Sequence, residues 1–180
     1  KKYKSIIEYF FSDLIDKKFN ISKDGIFETL NNSFTKRSNE MFNKILDEFI
    51  HRSPTALFLS LYKLRSILEK ACQYLDFEAV KKLTKIILEN NKDVEFTKQF
   101  LKAASSGSIQ ICQYFVDQKV CIDYDKLASN SLELGSTKVE IFSMMTENST
   151  LEVKDIFLNT FLESAIEKNN KSLVDFLLKN

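Results

Sequence analysis

The chain has 180 residues, 44% of them hydrophobic and 28% charged, with only 3 glycines and 1 proline. That composition belongs to a globular chain able to bury a core. It holds too few turn glycines for an all-β sandwich or a nucleotide-binding α/β fold, and so points to an all-α protein. Its 26 basic and 25 acidic residues are interspersed, unlike the charge footprint of a nucleic-acid or membrane-surface binder.

No apolar run approaches the roughly 18 residues that a membrane span requires. No signal peptide is visible either, because polar residues interrupt every apolar cluster after Lys1. Cys72, Cys112 and Cys121 are an odd number at spacings that suit no disulfide framework. They read as reduced, mostly buried thiols of an intracellular, cytoplasmic protein. With no initiating Met, and an end at Leu177-Leu178-Lys179-Asn180 inside an apparent helix, the chain is expected to be a piece of a longer one.

In chain order, Ile6, Ile7, Tyr9, Phe10 and Leu14 share one face of an amphipathic helix. Ile26, Phe27 and Leu30 make a shorter one, and Phe42, Ile45, Leu46 and Phe49 a third. Ser53-Pro54 is a good start for a longer helix over Ala56 to Leu75, with Pro at the first position. Residues 1–63 therefore read as diverged helical repeats or an N-terminal cap, and residues 64–180 as a more regular region. Asp76, Asp93, Asp123 and Thr137 are candidate helix caps, Thr137 forming a capping box with Glu140. A helix over Val94–Ser105 is broken at Gly107, and another runs from Ser108 to Gln118.

A repeat underlies these helices. Phe100-Leu101-Lys102-Ala103-Ala104 is echoed 61 residues later by Phe161-Leu162-Glu163-Ser164-Ala165, and Cys112 and Phe115-Val116 by Leu173 and Phe176-Leu177. Leu68-Glu69-Lys70-Ala71-Cys72, followed by Phe77, Val80 and Leu83, is a further copy 32 residues before the best one. Val139, Phe142 and Met145 continue the stripe 30 residues after it, and 31 more lead to Leu173. A unit of about 31 residues is the size of a stacked helix pair.

Phe100, Ala103-Ala104, Ser105-Ser106, Gly107 and the helix through Ile109 and Cys112 resemble the core of an ankyrin repeat. Lys168 and Leu75 take the glycine position in two other copies, while Leu132 replaces an alanine in the copy that keeps Gly135. The Thr-Pro-Leu-His opening is absent, and segments such as Asp117–Asp123 are poor in glycine. The resemblance implies an all-α solenoid of stacked antiparallel helix pairs, ankyrin-like with shortened or absent β-hairpins. It further implies that the two variable residues after each small pair face a protein partner. They are Gln73 and Tyr74, Ser105 and Ser106, Glu133 and Leu134, and Ile166 and Glu167. Of these, Gln73, Tyr74, Ser105, Ser106, Glu133 and Glu167 are the candidate partner-binding residues, with Tyr74 the candidate anchor.

Residues that bear chemistry are scattered rather than grouped. His51 is the only histidine and has none to join it in a zinc site, so a helix-end surface role fits it best. Cys112 and Cys121 are nine residues apart, a spacing that fits neither a zinc knuckle nor a Cys-x-x-Cys motif. Asp123 with Asp125, and Asp47 with Glu48, lack the oxygen-ligand loop of a calcium site. No catalytic residue, metal or cofactor is expected, and no small-molecule substrate. The leading expectation is a non-enzymatic protein-interaction module of unknown partner. The alternatives are a structural subunit held in a large assembly, or the targeting arm of an enzyme whose catalytic domain lies elsewhere.

Overall fold

The computed structural model describes residues 61–130, 134 and 137–179, with isolated positions at 28, 32, 42, 43, 46 and 47. Apart from Phe42 and Leu46, the residues on which helices are expected before residue 61 lie outside the described residues, as do His51, Ser53-Pro54, Leu132, Glu133 and Gly135. The described part is all-α and builds eight helices: α1 Leu61–Gln73, α2 Phe77–Asn90, α3 Thr97–Ser105, α4 Ile109–Asp117, α5 Tyr124–Ser129, α6 Val139–Glu147, α7 Leu151–Glu167 and α8 Lys171–Leu177. Among the described residues no strand forms beyond one isolated parallel bridge between Glu95 and Cys121.

Local chemistry places the helix ends. Asp76, Ser108 and Asn170 each accept from the backbone N–H three residues on, at Ala79, Ile111 and Leu173. Side-chain capping of this kind satisfies one of the donors left open at a helix start. Just before each cap stands a residue in the left-handed region: Leu75 (φ 60), Gly107 (φ 74) and Asn169 (φ 53). The three turns also share two backbone hydrogen bonds. Asp76 N–H donates to Ala71 C=O and Leu75 N–H to Cys72 C=O; Ser108 pairs with Ala103 and Gly107 with Ala104; Asn170 pairs with Ala165 and Asn169 with Ile166. That pattern closes the last helical turn on orphan carbonyls.

These bonds shift one sequence register. The left-handed residue of the last turn is Asn169, not Lys168, and Ala165 rather than Ser164 stands opposite Ala103. The spacing between these turns is therefore one residue longer than the apolar pattern gives. The pattern is misleading because Phe161 is 0% exposed and so is Phe100, although turn geometry matches Phe161 to Gln99.

Two expected caps are also replaced. Asp93 is exposed, and the N-cap of α3 is Phe96, whose own N–H is held by Cys121 C=O at 2.8 Å. Thr137 is buried and donates its hydroxyl to Ala104 C=O, leaving Lys138 as the N-cap of α6 with no side-chain cap bond.

Like helices touch like helices. α1 packs on α3, α3 on α5 and α5 on α7; α2 packs on α4, α4 on α6 and α6 on α8. Within pairs, α1 meets α2, α3 meets α4 and α7 meets α8. The core runs through all of these contacts, from Leu64, Ile67, Leu68 and Ala71 to Phe142, Phe161 and Leu173. Phe42 and Leu46 are buried in the same core. Aromatic contacts knit neighbouring elements: Phe77 meets Tyr114 edge-on at 5.6 Å and Phe142 meets Phe161 edge-on at 5.0 Å, while Phe96 lies tilted against Phe115 at 5.9 Å between ring centroids. Such pairs add to simple area burial because ring edges and faces carry opposite partial charge.

The left-handed turn residues generate a paired prediction. A Cβ at Gly107 would meet nothing closer than Lys138 Cε at 3.6 Å, so only backbone conformation resists substitution. Gly107→Ala is expected to lower stability by about 1 kcal/mol, and Leu75→Gly to raise it by a smaller amount. Urea denaturation of the two variants should show midpoint shifts of opposite sign. Shifts of the same sign would contradict the turn assignment.

Candidate protein-binding surface

Gln73 and Glu167 are exposed at the C-terminal ends of α1 and α7. Tyr74 follows Gln73 and keeps 37% of its surface exposed. Ser105 and Ser106, at the end of α3, are half-buried. The Ser105 hydroxyl turns back to Lys102 C=O at 3.2 Å, while the Ser106 hydroxyl donates across to Gln73 C=O at 3.4 Å. The structure thus brings the first two candidate pairs, Gln73-Tyr74 and Ser105-Ser106, to adjoining turns. It corrects the third: Leu134, expected to be exposed, is 0% exposed and belongs to the core.

The contact between adjoining turns recurs. Thr137 Oγ1 donates to Ala104 C=O at 3.4 Å, and Asn170 Nδ2 to Thr137 C=O at 3.0 Å. Each bond reaches from one turn to the turn before it, 33 residues earlier in the chain. Beside the last of them lies an open depression of about 560 Å³, bordered by Thr137, Lys138, Glu140, Lys168, Asn170 and Ser172.

On the loops between pairs, an ionic cluster escaped the sequence reading. Lys126 Nζ bridges Glu95 at 2.8 Å and Asp123 at 3.1 Å. Arg65 donates to Glu95 C=O at 2.7 Å, and Gln99 donates to Arg65 C=O at 3.1 Å. The signal that would have found the cluster is spacing. Glu95 and Lys126 are 31 residues apart, one repeat length, and carry opposite charge.

The hydrogen bond from Lys126, then that from Thr97, holds the Glu95 carboxyl below its usual range. Asp123 is lowered first by the backbone N–H of Lys126, which it caps, and then by the Lys126 side chain. The same contacts, Glu95 first, raise the Lys126 ammonium. Carboxylates lowered on folding stabilise the protein at neutral pH, and that contribution fades as pH falls through their lowered values. Raising Lys126 has the opposite sense: its contribution is present at neutral pH and fades in strong alkali. Exposure keeps all of these contributions small.

The thiols divide by burial. Burial pushes Cys112 up to about 12, and burial first, with Cys112 nearby, raises Cys72 well above the ordinary thiol value. Both are inert, neutral core groups at physiological pH. Cys121, expected to be buried with them, is exposed, because the loop carrying it turns its backbone rather than its side chain to the neighbouring loop.

Among the described residues no group of three or more His, Cys, Asp or Glu could hold a metal ion, and no helix is long and apolar enough to cross a membrane. No family model, curated protein or solved structure matches the chain.

The ionic cluster yields a titration test. In Lys126→Met, Glu95 should titrate higher than in the parent, while Asp123 keeps part of its depression because its backbone partner remains. Side-chain carboxyl NMR across the acid range measures both. Equal upward shifts at the two residues would contradict the assigned causes.

Proposed function

We propose that the chain is a protein-binding module, an ankyrin-like solenoid of stacked helix pairs with vestigial hairpins. It engages its partner non-covalently along the ends of the first helices of each pair. The observation that carries this reading is the turn motif. The same left-handed residue, the same two backbone bonds and the same side-chain cap recur at Leu75-Asp76, Gly107-Ser108 and Asn169-Asn170. Contacts between like helices support it, since stacked units touch their neighbours through corresponding elements. The isolated bridge between Glu95 and Cys121 stands where ankyrin arrays carry projecting hairpins.

On this reading Gln73, Tyr74, Ser105, Ser106 and Glu167 contribute a polar surface with one aromatic side chain. Polar strips with an embedded tyrosine suit a protein partner, because the ring supplies buried area and the hydroxyl a directed hydrogen bond. Specificity then resides in side chains that differ from turn to turn.

Crosslinking mass spectrometry of the native protein in its own cell extract tests this reading. Lys70, Lys102 and Lys168 lie beside the strip and serve as reporters. Crosslinks to one other protein should concentrate at these lysines and fall at least about tenfold in Tyr74→Ala, the loss that truncation of an aromatic anchor brings. The folded-state circular dichroism should not change. Crosslinks confined to the chain itself, or unaffected by Tyr74→Ala, would contradict the proposal.

A further inference from the structure

Charge is sorted along the row of first helices. α1 carries Lys63, Arg65 and Lys70 against Glu69, and α3 carries Lys98 and Lys102 with no acid, so each has a surplus of two positive charges. In α5, Asp125 and Lys126 cancel. α7 carries Glu152, Asp155, Glu163 and Glu167 against Lys154, a surplus of three negative charges. Because α1 packs on α3, α3 on α5 and α5 on α7, the row is basic at one end and acidic at the other. The second row has no such progression: α8, its last helix, holds one base and one acid, Lys171 and Asp175. Turn register puts the charges of α3 and α7 on one face. Counting from Ala103 and Ala165, Lys98 corresponds to Thr160, and Lys102 lies between the equivalents of Glu163 and Glu167. Lys98, Glu163 and Glu167 are exposed, and Lys70 and Lys102 are half-buried. None of Lys70, Lys98, Glu163 and Glu167 enters an ion pair among the described residues. On α2, by contrast, Lys81 pairs with Glu78, Lys82 with Asp47 and Lys85 with Glu89.

We propose that the face of the first helices is a bipolar docking surface for a protein segment of matching polarity. The segment's acidic end seats on α1 and α3, and its basic end seats on α7. The inference rests on the protein-binding reading above and adds the partner's charge pattern to it. Charges left open and sorted by sign create an oriented field, which draws in patches of opposite sign and penalises the reversed orientation. Complementarity selects this occupant over a polynucleotide or an anionic membrane, whose uniform negative charge would meet the acids of α7. Packed helix axes lie about 8–10 Å apart. α3 and α7 are two such steps apart, so the partner's two patches are separated by about 16–20 Å.

The probe is a synthetic peptide of six glutamates, six prolines and six lysines, in that order. Its proline spacer is a stiff rod of about 19 Å, which matches the span and keeps the two charged blocks apart. A nitroxide on the glutamate end is read by amide NMR of the full chain at low salt, where surface charges are least screened. Broadening should be strongest at Lys98 and Lys102 and weakest at Glu163 and Glu167. Moving the nitroxide to the lysine end should reverse that order. The block peptide should also bind at least about tenfold tighter than a scrambled peptide of the same residues, because its two contacts reinforce each other. Lys98→Glu with Lys102→Glu should remove that advantage without changing the circular dichroism, and so should Glu163→Lys with Glu167→Lys. Equal binding of the two peptides, or broadening that ignores the nitroxide's position, would overturn the inference. So would low-salt dimers of the parent chain that Lys98→Glu dissociates, since a second copy would then occupy the face. The tyrosine test above keeps the two readings apart. If Tyr74→Ala removes the native crosslinks and the block peptide shows no preference, only the bipolar surface fails. If the crosslinks survive Tyr74→Ala, the protein-binding reading falls and takes the bipolar surface with it.

Discussion

Each short helix-to-helix turn must reverse the chain, satisfy the open ends of two helices, and still meet the turn before it. The backbone solves the first part with one left-handed residue and the second with two hydrogen bonds to the closing helix plus one side-chain cap on the opening one. Turns built this way hold the small residues Ala71, Ala103 and Ala165 at the junction. They also set the registers in which α1 meets α3 and α2 meets α4. A left-handed leucine costs more than glycine, on the order of 1 kcal/mol, yet Leu75 is tolerated because Asp76 and the Ala71 and Cys72 carbonyls fix the same geometry around it.

With the turns fixed, several of the remaining polar groups are handled between neighbours. Buried Thr137 satisfies its hydroxyl on Ala104, and Asp123 N–H is taken up by the Thr97 hydroxyl at 2.8 Å. Asn43 reaches Asp76 at 3.3 Å, and Lys82 reaches Asp47 at 2.7 Å. These last two contacts show residues 43 and 47 lying against the start of α2 and its outer side. Buried polar groups that lose a partner are expensive, so the Thr137, Thr97 and Asn43 contacts confer specificity of register on helices whose apolar faces alone would tolerate sliding. Surface ion pairs such as Lys126 with Glu95 add little net stability but join α5 to the segment before α3.

Much of this was legible in the sequence. Gly107, Asp76 and Asp123 announce their roles by residue type; Cys112 falls on an apolar stripe and Cys72 takes a small-residue position, and both are buried. Asn169 was missed because the apolar pattern follows side-chain size, and Phe161 fits the core as well as a residue in Phe100's place would. Thr137 was misread as a cap because composition cannot say whether a hydroxyl turns to its own helix or to the preceding turn. Asp93 failed for a related reason: the chain before α3 is extended and held by Cys121, so its start needs no side-chain oxygen. At the candidate surface, Gln73 and Glu167 stand exposed at helix ends, whereas Leu134, read as an exposed position, is buried. A variable position in a family pattern becomes core here when a large apolar residue fills it.

Interchangeable units are the central claim, and tandem duplication tests it most directly. Residues 77–108 span one period, from the start of α2 to the cap of α4. Inserting a second copy of them after Ser108 adds one further turn of the kind at Gly107-Ser108. Urea unfolding followed by circular dichroism should give one cooperative transition with a midpoint no lower than the parent's and a steeper denaturant dependence, because more surface is buried. A lower midpoint, a split transition or loss of helical signal per residue would contradict the account.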